Sequence, residues 1–189
     1  MGVSKNKPIN SLSADWYTND KFLKKEINQI FLKSWLLIGP EAQISNPGDC
    51  LFQSIVDQPI VCVRQENNRI KTFFNICRHR AGSLNNKRSK NNYLVCNYHG
   101  WTYSINGQLK SPRGFNKSEI ALEELCLKYI NTKIWKGLIF INFSVRPKSF
   151  GETFNDIEKI LTPYKLENFI FDRRVSYRIK CNWKVYLDN

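Results

Sequence analysis

Cys77-Arg78-His79-Arg80-Ala81-Gly82 and Cys96-Asn97-Tyr98-His99-Gly100-Trp101 are the two stretches whose reading decides the fold. The chain of 189 residues holds 2 histidines, and both lie here, each two or three residues after a cysteine. The pattern is Cys-x-His, then residues 80–95, then Cys-x-x-His. A cysteine and a histidine so close in sequence point their donors to one side of a tight turn. Thiolate and imidazole together suit zinc, iron or an iron–sulfur cluster.

The surroundings of these turns are rich in β-type sequence. Short runs at Cys50–Val56, Ile60–Arg64, Ile70–Ile76, Tyr93–Cys96, Trp101–Ile105, Lys128–Ile134 and Leu138–Phe143 predict strands. Asn106-Gly107 predicts a two-residue hairpin, and Lys136-Gly137 a turn between the last two strands. Before this body, Phe22, Leu23, Ile27, Ile30 and Phe31 recur at helical spacing behind a cap at Asn19 or Asp20, and the chain turns at Gly39-Pro40. After it, Phe150, Phe154, Ile157 and Leu161 predict one face of a helix over 149–161. The final YRIKCNWKVYLDN alternates like the opening strand of a further sheet. Three parts follow: 1–45 with the helix and a lead-in strand, 46–145 as an antiparallel β body, and 146–189 as a linker helix and the start of another domain.

Composition narrows the class. Hydrophobic content of 42% and 12 phenylalanines, 8 tyrosines and 5 tryptophans indicate a folded globular chain. No apolar run reaches the roughly 18 residues of a membrane span, and the polar N-terminus lacks the apolar core of a signal peptide. The opening Met-Gly has Asn6 where a myristoylation signal wants Ser or Thr. A cytoplasmic protein with no membrane partner is expected. The net charge of +13 comes from scattered lysines, without the basic stripe and interleaved aromatics of a nucleic-acid surface, so no nucleic-acid partner is expected. The densest basic run, Lys87-Arg88-Ser89-Lys90, reads as a loop. Of the 6 cysteines, Cys50, Cys62, Cys126 and Cys181 read as single reduced residues.

That leaves Cys77 and Cys96 with the histidines. A lone zinc in a Cys₂His₂ site competes, but zinc modules often set two cysteines in one Cys-x₂₋₄-Cys knuckle, which is absent here. One Cys and one His from each of two equivalent loops fit a Rieske [2Fe–2S] centre better, two thiolates on one iron and two imidazoles on the other.

CRHRAG followed by CNYHGWTYSINGQL resembles the Rieske domain of ring-hydroxylating-type oxygenase α subunits. DWYTNDKFLKKEINQIFLKSWLLIG resembles the N-terminal helix of that family, and CNWKVYLDN the strand entering its catalytic domain. The resemblance implies a mainly β fold: an antiparallel Rieske [2Fe–2S] domain with an N-terminal helix and the first strand of a truncated α+β catalytic domain. It implies one cluster per chain, with Cys77 and Cys96 on the buried iron and His79 and His99 on the outer one.

Around the ligands, Arg80 is a candidate donor, Gly82 and Gly100 permit close backbone approach, and Trp101 and Tyr103 pack over the cluster and exclude water. Gly82 and Tyr98 stand where the bc-complex type of Rieske protein carries an extra disulfide. With no disulfide and few hydroxyls aimed at the sulfurs, a lower potential is expected.

The resemblance also implies a mononuclear Fe(II) held by two histidines and a carboxylate. No histidine follows His99 in this chain, so that site is expected only in the missing catalytic domain. The implied function is electron transfer from a ferredoxin or flavin reductase to an oxygen-activating iron that hydroxylates an organic substrate, an aromatic acid or a quaternary amine such as choline or carnitine. The implied assembly is a homotrimer or a complex with a β subunit. A stand-alone Rieske ferredoxin is the alternative, but it has no use for the helix or for the YRIKCNWKVYLDN stretch. The basic loop at 87–90, tethered between the ligand pairs, is expected to help dock an acidic donor.

Overall fold

Alternate residues of one central strand feed two different cores, and this organises the body. In the computed structural model, which describes residues 11–87, 93–116, 118 and 120–188, strand β3 (Gln58–Arg64) has Ile60, Val61, Cys62 and Val63 all at 0% exposure. Successive side chains of a strand point to opposite faces. Val61 and Val63 therefore join Phe73, Cys77, Leu94, Cys96, Trp101 and Tyr103 on one side. Ile60 and Cys62 join Ile38, Ile44, Ile130, Ile139 and Ile141 on the other.

Around β3 lie β1 (Leu36–Pro40), β2 (Cys50–Ile55), β4 (Ile70–Phe74), β9 (Tyr129–Trp135) and β10 (Leu138–Asn142), in the antiparallel order β1-β10-β9-β4-β3-β2. A smaller sheet is formed by β5 (Leu84–Lys87), β6 (Tyr93–Cys96), β7 (Thr102–Ser104) and β8 (Leu109–Ser111) in sequence order. The two sheets are locked by polar and steric contacts. The buried Gln65 amide donates to the carbonyls of Val63 (3.2 Å) and Ile105 (2.8 Å). Gly107 sits so close to Phe73 that a Cβ there would lie 2.6 Å from the ring.

Several expectations change in detail. β5 and β8 are strands within stretches that carry little apolar periodicity, because pairing with β6 and β7 supplies their backbone hydrogen bonds. The β7–β8 connection spans four residues, 105–108, with Gly107 at φ 87° donating to the Ser104 carbonyl. Gly39 and Pro40 belong to β1, which bulges there and pairs with β10, so the lead-in strand is part of the main sheet. Lys136-Gly137 does turn β9 into β10.

The helices are α1 (Asp15–Thr18), α2 (Asp20–Gln29), α3 (Phe150–Leu161) and α4 (Trp183–Asp188). Asn19 caps α2 by accepting from the Lys21 N–H at 3.0 Å. In α3, Phe150 and Phe154 pack on Trp135 and Phe140, while Ile157 is exposed. The largest departure is the tail. The strand expected over YRIKCNWKVYLDN is instead irregular chain followed by α4. A strand needs a neighbour for its N–H and C=O groups, and no described strand pairs with this stretch.

What holds the tail is a buried ion pair. Glu26 of α2, 5% exposed, accepts from Lys184 Nζ at 2.6 and 2.8 Å and from Trp183 Nε1 at 2.9 Å. Phe31 packs edge-on against Trp183, and the Tyr17 hydroxyl donates to Asp188. Burial alone would raise the Glu26 pKa; the hydrogen bonds from Lys184 and Trp183 outweigh it and hold the carboxyl below its usual range.

Because that pKa is depressed on folding, its stabilisation is present at neutral pH and lost as pH falls through the folded value. Lys184→Met leaves a buried carboxylate without its cation and is expected to cost about 3–5 kcal/mol in urea unfolding, most of it recovered in Glu26→Leu/Lys184→Met.

Candidate metal centre

Both cysteine–histidine turns leave one end of a single hairpin. β4 runs through residues 75–83 into β5, and β6 runs through 97–101 into β7. Leu84 of β5 pairs with Cys96 of β6, so the turns emerge side by side. The Asn97 N–H donates to the Ser83 carbonyl at 2.9 Å, and the Leu84 N–H to Asn75 Oδ1 at 2.8 Å.

The turns fold alike despite their unequal spacing. Each cysteine N–H donates to the carbonyl five residues on, Cys77 to Gly82 and Cys96 to Trp101, both at 2.8 Å. The N–H four residues on returns to the cysteine carbonyl, from Ala81 and from Gly100, both at 3.0 Å. The closing residue has positive φ in each, 54° at Ala81 and 74° at Gly100. Gly100 adopts this freely, whereas Ala81 does so at a cost of about 1 kcal/mol. Gly82 is a close approach: a Cβ there would lie 2.9 Å from Cys96 Sγ and 2.9 Å from Tyr98 Cβ.

The donors gather as two pairs. Cys77 and Cys96 are buried, and Cys96 lies near enough to help raise the Cys77 thiol. His79 and His99 are half-buried at the tip with ring centroids 4.8 Å apart. Among the described residues no three His, Cys, Asp or Glu side chains surround one point.

A binuclear group suits them. Nδ1 of His79 and Nδ1 of His99 are both buried without a hydrogen-bond partner, as befits two nitrogens that serve as ligands. Burial, then His99 and Arg80, lower the His79 pKa and favour the neutral imidazole that a metal requires. Burial pushes the Cys77 thiol up, opposed by the Tyr103 hydroxyl and the His79 backbone. A coordinating metal deprotonates such a thiol outright. Cys62, by contrast, is a core residue whose thiol burial pushes up to about 11, and none of the 6 cysteines forms a disulfide.

The sequence of this region matches the Rieske [2Fe–2S] domain family over residues 34–123. These residues are a Rieske domain.

The chain is 29% identical over 180 residues to the glycine betaine monooxygenase oxygenase subunit of Pseudomonas aeruginosa, covering 95% of this chain and 42% of that protein. It is 30% identical over 189 residues to the chloroplastic choline monooxygenase of Arabidopsis thaliana, covering 93% and 44%. Its fold superposes with a TM-score of 0.84 on a quaternary ammonium Rieske monooxygenase solved with L-carnitine, at 23% identity, over 92% of this chain and 51% of that one. The chain therefore spans less than half the length of the curated relatives it matches.

Within the Rieske domain, Trp101 stacks on His79 with centroids 4.7 Å apart and planes at 7°. Tyr103, expected as packing, also has a polar role: its hydroxyl lies 3.3 Å from Cys77 Sγ and accepts from the Arg78 N–H at 3.0 Å. One hydroxyl is thus directed at a sulfur, which moderates the expectation of a low potential. Arg80 is exposed at the tip.

Of the basic run, only Lys87 is among the described residues. Lys87 pairs with Tyr93 at the end of the hairpin remote from Leu84 and Cys96, three residues or roughly 10 Å away. Arg88 and Lys90 lie outside the described residues, as do residues 1–10 with Asn6. Two tip residues had no sequence signal, Arg113 beside Gly100 and Phe115 against His79. Their loop follows β8 with no metal-ligand type in it.

Gly82→Ala is expected to displace Cys96 Sγ and Tyr98, and to lower iron content per chain, measured colorimetrically, while the far-UV circular dichroism stays β-type.

Proposed function

We propose that Cys77 and Cys96 hold the buried iron, and His79 and His99 the outer iron, of one [2Fe–2S] cluster, and that this chain is the electron-transfer portion of a Rieske oxygenase subunit. The observation that carries this reading is the pair of buried, unpartnered Nδ1 atoms on two turns whose cysteines are also buried. A [2Fe–2S] cluster bound there takes up and releases one electron at a time.

The residues do the rest. Gly82 and Gly100 let the backbone bend close around the sulfurs. The Tyr103 hydroxyl donates to Cys77 Sγ, which stabilises added negative charge. Trp101 covers one face of His79, and Tyr98 stacks on His99 at 3.8 Å.

The oxygenase reading is supported over a free-standing ferredoxin by the Glu26–Lys184 clamp, which a carrier made only of the β body does not need. The relatives named above act on glycine betaine and choline, which supports a quaternary amine over an aromatic acid as substrate class. Oxygenation belongs, on this reading, to a mononuclear iron in residues that this chain does not contain.

The electron donor meets the tip. Its three loops, 77–83, 96–101 and 112–116, carry Arg78, Arg80 and Arg113 and no carboxylate. This suits an acidic ferredoxin or reductase.

Anaerobically purified chain is expected to hold about two irons and two sulfides, with the low average g-value of a histidine-ligated centre when reduced. Cys77→Ser and His99→Ala lose it and Cys126→Ser keeps it; stoichiometric zinc without sulfide refutes the reading. Replacing Arg80 and Arg113 with Ser should slow reduction by an acidic donor in stopped-flow, most at low ionic strength, and leave dithionite reduction unchanged.

A further inference from the structure

Helices α2 and α4 bury one side chain each among the described residues, and these two side chains are the ion pair: Glu26, and Lys184 at 8% exposure. A surface helix ordinarily lays an apolar stripe on a core. Neither apolar core contains a described residue of α1, α2 or α4. At 10 and 6 residues, both helices are shorter than the roughly 12 that an isolated helix needs in water. Each therefore depends on the other. The contacts around the pair are shared in the same way. Lys184 Nζ lies 5.6 Å from the centroid of the Tyr17 ring and 5.3 Å from that of Trp183. Trp183 donates to Glu26, and the Tyr17 hydroxyl donates to Asp188 at 2.8 Å. Ties to the β body lie to either side of this group. Asn142 Nδ2 donates to the Lys33 carbonyl at 3.1 Å, Trp35 Nε1 to the Lys148 carbonyl at 2.9 Å, and Arg174 Nη2 to the Ile38 carbonyl at 2.8 Å. The chain before Lys33 and the chain after Arg174 thus meet at the pair.

We propose that α1, α2 and α4 form a latch that opens and closes as one unit while the β body stays folded, so that two charged side chains, and not the cores, set the path of the tail. Opening returns Glu26 and Lys184 to water, and the solvation they regain offsets much of the attraction they lose. Opening the β body exposes two apolar cores with no such return. The latch therefore lies at the low end of the range of local stabilities in the molecule. Because neither helix stands alone, breaking the pair melts both together. The loss expected above for Lys184→Met falls on this unit, as a first transition in urea.

Native-state hydrogen exchange of the whole 189-residue chain, read by mass spectrometry, is the test. In the parent, the slowest amides of α2 and of α4 are expected to share one protection factor, at least tenfold below that of β3. Lys184→Met should speed exchange in both helices by the same factor, tenfold or more, and leave β3 and β6 unchanged. Glu26→Leu/Lys184→Met should return both helices toward the parent. Faster exchange in α4 alone, or equally faster exchange in β3, overturns the latch. A parent whose helices are as protected as β3 overturns it too. So does a Lys184→Met chain without β-type circular dichroism, because the proposal requires the body to fold with the latch open. Exchange is read whether or not iron is bound, so the ligand reading stands or falls separately.

Discussion

The pairing of Leu84 with Cys96 at the open end of the β5–β6 hairpin is the constraint on which the site depends. Two turns far apart in sequence become neighbours only because this register sets their first residues opposite each other. A shift by one residue would flip the side chains of one strand to the other face and carry Cys96 out of the core. The pairing is itself protected, since Leu84, Leu94, Cys96 and Tyr103 are buried against Val61, Val63 and Phe73 of the larger sheet.

From that arrangement the division of labour at the tip follows. The cysteines lie on the core side, where burial disfavours a free thiolate and leaves coordination as the way to ionise it. The histidines lie at the rim, half-exposed, with their Nδ1 atoms buried. Aromatic rings from three loops then close around the imidazoles, and the only charges those loops add are arginines. On the reading proposed above, this cationic rim suits an acidic electron donor.

At the other end of the chain, Glu26 and Lys184 join α2 to α4 across most of the sequence. A buried pair of this kind gives less net stability than an apolar contact of the same size, but it tolerates no mismatch, because either partner alone is a buried charge. It fixes where the tail lies. The exposed apolar residues that precede it, Val175, Tyr177 and Ile179 among them, remain without a covering layer within the described residues.

The sequence alone determined the chemistry of the site. Cysteine and histidine at such short spacing act through turns, and turn geometry is local, so Cys77, His79, Cys96 and His99 could be named with their flanking strands and with Gly82 as a close approach. The hairpin at Lys136-Gly137 and the cap at Asn19 were legible for the same reason. What only the tertiary structure decided depends on residues that carry no local signal. The hydroxyl of Tyr103 meets Cys77 because two strands pack, Phe115 meets His79 because a loop after β8 folds back, and Lys87 lies away from the ligand turns because an antiparallel hairpin sets its pairing with Tyr93 opposite that of Leu84 with Cys96. The tail was misread as a strand because alternation specifies a strand only when a neighbour exists to accept its backbone hydrogen bonds, and that neighbour is not a property of the stretch itself.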